Sequence, residues 1–121
     1  MQGFRRGMML ATYCAVVVSA CSNATPALVR GLPRSFVPTS DFDIRIKERF
    51  PVGSAESKLL AELHGERFAT TKIQDSSKPY RYSAVYVAQS IACREWWKIQ
   101  WNAEHGQIIG IEGSNSGELC L

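Results

Sequence analysis

Few residues of this chain belong to types that carry chemistry, and their spacing limits what they can do. The two histidines, His64 and His105, stand far apart in sequence. Serine-based acyl transfer needs a histidine base oriented by a third group beside a serine, and no nucleophile-elbow sequence frames a serine here. Glu95, Glu104 and Glu112 are the acids that a paired-carboxylate hydrolase would draw on. Scattered on or beside strand-like sequence, they read as solvated surface groups. There is no HExxH, no calcium loop and no cysteine pair at the short spacing zinc requires. The sequence therefore predicts no catalytic residue, no metal site and no cofactor, and the chemistry rests with four cysteines.

Cys21 is the first of these to find a role. Gln2 to Arg6 carries Arg5 and Arg6 and no acid, and Gly7 to Ala20 has no charge and is mostly Met, Leu, Ala and Val. That is the pattern of a secretory signal peptide, and it is shorter than the ~20 residues of a permanent membrane helix. Val18-Ser19-Ala20-Cys21 resembles the bacterial lipobox, an aliphatic residue and two small residues before a cysteine that is lipidated and becomes the mature N-terminus. The resemblance implies a signal peptide over 1–20 and a Cys21 carrying diacylglyceryl and palmitate chains. Each buried methylene adds ~0.8 kcal/mol, so several chains anchor stably. Ser22, in place of an aspartate, implies sorting to the outer membrane, with the domain facing the periplasm.

With Cys14 inside the leader and Cys21 acylated, Cys93 and Cys120 remain in an exported domain, where two cysteines read as one disulfide. The loop of about 27 residues would contribute ~3–4 kcal/mol through chain entropy. Removing residues 1–20 from the 121 leaves 101, enough for one small domain. The formal net charge of +3 owes two units to Arg5 and Arg6, so the mature part is near +1. No Lys/Arg stripe remains for phosphates, and nucleic acid is excluded as a partner.

The aromatics offer a binding chemistry instead. Tyr80, Tyr82 and Tyr86 line one side of a strand, and Trp96, Trp97 and Trp101 crowd the next. Tyrosine, tryptophan and arginine concentrate binding energy at interfaces. Trp96 and Trp97 point to opposite faces of any strand, so one of them lies outside the core layer. Tyr80, Arg81, Tyr82, Arg94 and Trp96 are the partner-binding candidates, with the two arginines suited to an acidic partner or an anionic glycan.

These residues must be held by few elements. Residues 22–39, with Pro26, Pro33, Pro38 and Gly31, read as the tether that follows the lipidated Cys21, although Leu28, Val29, Leu32, Phe36 and Val37 can equally pack on the domain. Residues 40–121 form the single domain. Phe42, Ile46 and Phe50 recur every four residues, so 40–49 is a short helix capped by Thr39 or Ser40 and ended by Pro51. Ser54 caps a second helix with Ala55, Leu59, Leu60 and Leu63 on its apolar side, a Lys58–Glu62 pair outside, and Gly65 as the left-handed stop. The period then falls to two. Strands are expected over Arg67–Ile73, over the run from Tyr80 to Ala88, over Cys93–Asn102 with Cys93, Glu95, Trp97, Ile99 and Trp101 on one side, and over Gln107–Glu112 after a Glu104-His105-Gly106 turn. Asn115–Leu121 is a tail returning Cys120 towards Cys93. The expected fold class is α+β: two N-terminal helices packed on one face of a three- to four-stranded antiparallel meander.

Helix, Phe50-Pro51-Val52-Gly53, a helix ending at Leu63-His64-Gly65, and a meander behind a lipobox resemble the small bacterial lipoproteins of BamE/SmpA-like, or β-lactamase-inhibitor-protein-like, fold. Phe50, Gly53, Leu59, Leu63 and Gly65 fall in comparable places over about residues 40–112. Ser54-Ala55 and Lys58-Leu59 depart from the pattern, and the strand at 67–73 is an addition. The resemblance implies a non-enzymatic envelope lipoprotein in an assembly or structural role, bound to an envelope protein or to peptidoglycan. The alternative is an immunity or inhibitor lipoprotein that blocks a secreted effector or a periplasmic hydrolase. Fold alone does not choose between them.

Overall fold

The computed structural model describes residues 25–32, 40–89 and 93–118. Cys21, the expected leader and Cys120 lie outside the described residues. Two helices, α1 (Asp41–Arg49) and α2 (Glu56–Gly65), precede four strands, β1 (Ala69–Lys72), β2 (Tyr82–Gln89), β3 (Arg94–Glu104) and β4 (Gln107–Glu118). The strands form one antiparallel sheet in the order β1-β2-β3-β4.

α1 forms where expected. Asp41 and Asp43 sit in its first turn and Lys47 and Arg49 in its last, each sign favoured by the helix dipole. Ser40 holds the N-cap position without a side-chain bond. Phe42, Ile46 and Phe50 are buried in a row, and the Phe50 amide donates to Ile46 O as the last helical bond before Pro51.

α2 differs from expectation in three details. Its N-cap is Ala55, because the Ser54 hydroxyl donates to Pro51 O at 2.6 Å instead. Glu62 pairs with Arg49 of α1, whose Nε donates to it at 2.7 Å, and not with Lys58. The left-handed stop is Arg67 (φ 64), not Gly65. The helix runs through Gly65, then Phe68 N–H donates to Leu63 O and Arg67 N–H to His64 O. This is a Schellman closure, with Leu63 and Phe68 both in the core.

Residues 25–32 pack on the domain, one of the two readings the sequence left open. Pro26 to Gly31 make a turn closed by Val29 N–H to Pro26 O and Arg30 N–H to Ala27 O, and Leu28 and Val29 are buried in the core cluster. The Glu66 carboxylate accepts the amides of Ala27 (3.0 Å) and Leu28 (3.1 Å). The Arg45 guanidinium donates to the carbonyls of Ala27, Leu28 and Arg30. The acid at the C-cap of α2 and a base of α1 thus hold the turn by its backbone.

β1 is shorter than the expected run and exposed throughout. β3 and β4 meet at a two-residue turn, His105 (φ 51) and Gly106 (φ 73), whose two left-handed residues match the strand twist. A register shift at Asn102/Ala103 leaves Ile109 as the extra residue of a bulge. The bulge lets Ile108 and Ile111, three apart, both point inward while Ile109 stays 48% exposed. β4 then continues to Glu118, so residues 115–118 are strand and not tail. Its period-two pattern buries Gly113 and Asn115 and exposes Ser114 and Ser116.

One core cluster joins Phe42, Ile46 and Phe50, Leu59 and Leu63, Leu28 and Val29, and the inward residues Ala84, Trp97, Ile99, Trp101, Ile108 and Ile111. Phe42 meets Trp97 edge-on at 5.1 Å, and Trp101 Nε1 donates to Glu56 at 2.8 Å. The outer edge of β4 is partly occupied. Gly53 N–H donates to Ile108 O, Ile108 N–H to Ser54 O and Glu56 N–H to Gly106 O.

Candidate binding surface

The pleat of β3 sorts the tryptophans. Trp97 and Trp101 are 3% and 1% exposed in the core, and Trp96 is half-buried on the opposite face. Register builds the rest of that outer face. Val87 lies opposite Trp96, which lies opposite Ser116; Val85, Lys98 and Ser114 form the next row. Ser83, Gln100 and Glu112 form a third, with Ala69 and Thr71 of β1 beside Val85 and Ser83. Val85, Trp96, Lys98, Ser114, Asn115 and Ser116 line a shallow depression of ≈ 500 Å³. Val87 is 44% exposed at its margin. The Arg94 guanidinium stands 6.0 Å from the Trp96 ring centroid, within cation–π range.

The structure divides the five expected binding residues. Trp96 and Arg94 lie together on the outer face. Tyr82 is on the core side, stacked on Trp101 at 5.7 Å, and Tyr86 packs on Phe68 there. Arg81 staples the β1–β2 connection, its guanidinium donating to the carbonyls of Asp75, Ser76 and Lys78. Tyr80 is half-buried and bonded to Glu112; burial first, and the Glu112 charge second, push its hydroxyl above the ordinary tyrosine value. Asp75, in the same connection as Arg81, is held below the usual carboxylate range by the Ser77 hydroxyl and amide.

The residues of catalytic type are spread apart. His64 is exposed in the last turn of α2 and His105 sits at the hairpin tip. Glu104 and Glu112 are exposed, but Glu95 is 5% exposed on the core side of β3, which corrects its reading as a solvated acid. Its odd number in the strand places it with Trp97 and Trp101. Among the described residues no group of three or more His, Cys, Asp or Glu is placed to hold a metal, and no helix is long and apolar enough to cross a membrane. Cys93 is disulfide-bonded; Cys120, its expected partner, follows two residues after the Arg94–Glu118 pair that ends the ladder.

Ser114 and Ser116 belong to the surface, beyond the expected end of the fourth strand at Glu112. Their signal was the alternation of Gly113, Asn115 and Gly117 with Ser114 and Ser116, weak because small residues carry little hydropathy contrast. No family model matches this chain, and no curated protein or solved structure matches it.

Proposed function

We propose that this chain is a non-enzymatic envelope lipoprotein of BamE/SmpA-like type, anchored through Cys21 in the outer membrane. Its domain binds an acidic protein partner in the periplasm in an assembly or structural role. In this reading both helices form one layer over the sheet face bearing Trp97, Ile99 and Trp101, which leaves the opposite face for the partner. The observation that carries the proposal is the outer row Val87–Trp96 with Val85 and Lys98 beside it and Arg94 over the indole. An aromatic anchor with an apolar floor and two cations at its margin has the make-up of an interaction hot spot, and cations at a rim steer acidic partners. Cys93–Cys120 would lock the end of β3 to the end of β4 beneath Arg94.

The test is site-specific photo-crosslinking in intact cells from position 98 on the outer face and from position 44 on exposed α1. The expected outcome is one adduct from position 98, lost in Trp96→Ala and in a Lys98→Glu variant cross-linked from position 85. Equal adducts from positions 44 and 98, insensitive to Trp96→Ala, would sink the proposal. Identification of the adduct as a hydrolase or toxin whose activity the protein blocks would move the reading to an inhibitor or immunity role at the same face.

A further inference from the structure

We infer that the acidic partner binds by adding an extended strand to the open edge of β2 at Val87 and Gln89; this deepens the outer-face reading above and rests on it. Backbone direction comes first. Ile73 N–H donates to Arg81 O, next to the Lys72–Tyr82 pair of the β1–β2 ladder. In a central antiparallel strand, residues that bond one neighbour alternate with residues that bond the other. The odd-numbered residues of β2 therefore turn their N–H and C=O groups towards β1, and the even-numbered ones turn theirs towards β3. The same assignment follows from the far side of the sheet, where Gly113 N–H leaves β4 for Asp43. β1 starts its pairing at Ala69, opposite Val85. Just before it the chain arrives from α2, and Phe68 N–H goes to Leu63 O. β2 runs on to Gln89, paired with β3 throughout. Val87 and Gln89 thus present two donors and two acceptors that no backbone group among the described residues meets.

The other edges are guarded. β4 is bonded along its margin by Gly53, Ser54 and Glu56 and by the Asp43 carboxylate. β1 is four residues long and carries Lys72, both common devices against edge pairing. Val87-Ala88-Gln89 has no proline, no lysine and no bulge. Side chains then select the occupant. On a strand added here, one side chain lies on the outer face opposite Val87 and another opposite Gln89. The first extends the Val87–Trp96 row, where an apolar residue continues the floor. The second extends the Gln89–Arg94 row, about 10 Å from Arg94 across two strand spacings, a gap that a glutamate and an arginine close between them. The occupant is therefore an extended segment with an apolar residue and an acid two positions apart. Backbone bonds supply its affinity, and the two alternate side chains set its register.

The experiment follows amide hydrogen exchange and cross-linking in the full chain. In the free protein, exchange should be fast at Val87 and Gln89 and slow at Tyr86 and Ala88; slow exchange at all four overturns the open edge. The adduct formed in cells from p-benzoylphenylalanine at position 98 is then scored in Gln89→Ala and Gln89→Pro. Proline removes the one N–H that faces the edge and leaves the β3 ladder its bonds, and Ala88 before it already has extended backbone. The expected result is an unchanged yield in Gln89→Ala and a loss of about tenfold in Gln89→Pro, the weight of one backbone hydrogen bond. Exchange at Val87 and Gln89 in the purified adduct gives a readout free of substitution at the edge, and should slow by at least about tenfold on the same ground. Unchanged exchange there, or equal yields in the two variants, overturns the added strand and leaves outer-face binding standing. Absence of any adduct from position 98 overturns the outer-face reading and the added strand together.

Discussion

The Asp43 carboxylate of α1 accepts the backbone amide of Gly113 in β4 at 2.9 Å. The same glycine has the helix packed directly over its Cα. A Cβ there would lie 3.1 Å from both Ile46 Cγ1 and Phe42 Cδ1 and 3.3 Å from Asp43 Cα. One residue without a side chain thus sets the approach of the first helix, and one acid satisfies the amide that the approach would otherwise bury.

Gly113→Ala is expected to destabilise the domain by about 1–3 kcal/mol through overpacking, measured by denaturant unfolding. Asp43→Ala should cost about 1–2 kcal/mol, as a bond to a charged acceptor is lost. The two effects should be non-additive because both act at one contact. Full additivity would show that the helix is not seated by this pair.

Glu66→Ala should release the 26–31 turn, with a loss of about 2 kcal/mol from two amide bonds to a carboxylate. The readout is proteolysis at Arg30, which should become fast while cleavage at Lys98 stays slow. Unchanged protection of Arg30 would mean that burial of Leu28 and Val29 holds the turn without the clamp.

Arg67→Gly should raise stability by about 1 kcal/mol, since a non-glycine residue in the left-handed region carries a steric cost of that order. Gly65→Ala, by contrast, should leave the fold intact and gain up to about 1 kcal/mol of helix propensity. Nothing stands within 4 Å of a Cβ there, and its φ is not left-handed. Thermal unfolding of both variants checks the placement of the helix stop.

Asn115 is 3% exposed with no partner for either side-chain amide atom. Desolvation of an unpaired amide costs about 1–3 kcal/mol in proteins. Asn115→Leu, similar in size, should therefore stabilise the domain by about 1 kcal/mol. Destabilisation instead would indicate that ordered water fills the amide's bonding positions.

Tyr80 is expected to titrate above 10.0, because burial and the Glu112 charge both disfavour its phenolate. A group whose folded pKa is raised contributes stability that is fully present below its unfolded value and is lost as pH rises through the folded one. Stability should accordingly fall on the alkaline side of pH 10, and Tyr80→Phe should remove that step from phenolate absorbance and from unfolding profiles. Asp75 acts in the opposite direction. Its lowered pKa means that its contribution is present above the ordinary carboxylate value of 3.8 and disappears as pH falls through the lower folded value.

Local pattern was sufficient for the element types. The four-residue row of Phe42, Ile46 and Phe50 made α1, and the alternation from Glu95 to Trp101 made β3 and put Trp96 and Trp97 on opposite faces, while the structure decided that Trp97 is the buried one. Those inferences held because helix and strand periods are properties of neighbouring residues. The candidate surface was half legible for the same reason: Trp96 and Arg94 follow from the β3 pleat, but Ser114 and Ser116 required knowing that β4 runs on to Glu118. Tyr82 shares a strand side with Tyr86 as the alternation implies, but its place beside Trp101 against the core, in contrast to its expected binding role, came from the tertiary structure.

By itself the sequence determined the order of helices and strands and the hairpin turn. Tertiary structure alone decided that residues 25–32 belong to the domain, that the left-handed stop is Arg67, and that Gly113 admits α1. Glu66 meets Leu28 across 38 residues and Asp43 meets Gly113 across 70. Contacts at such separations leave no periodic trace in the local pattern, because they depend on where the folded chain brings two distant segments together.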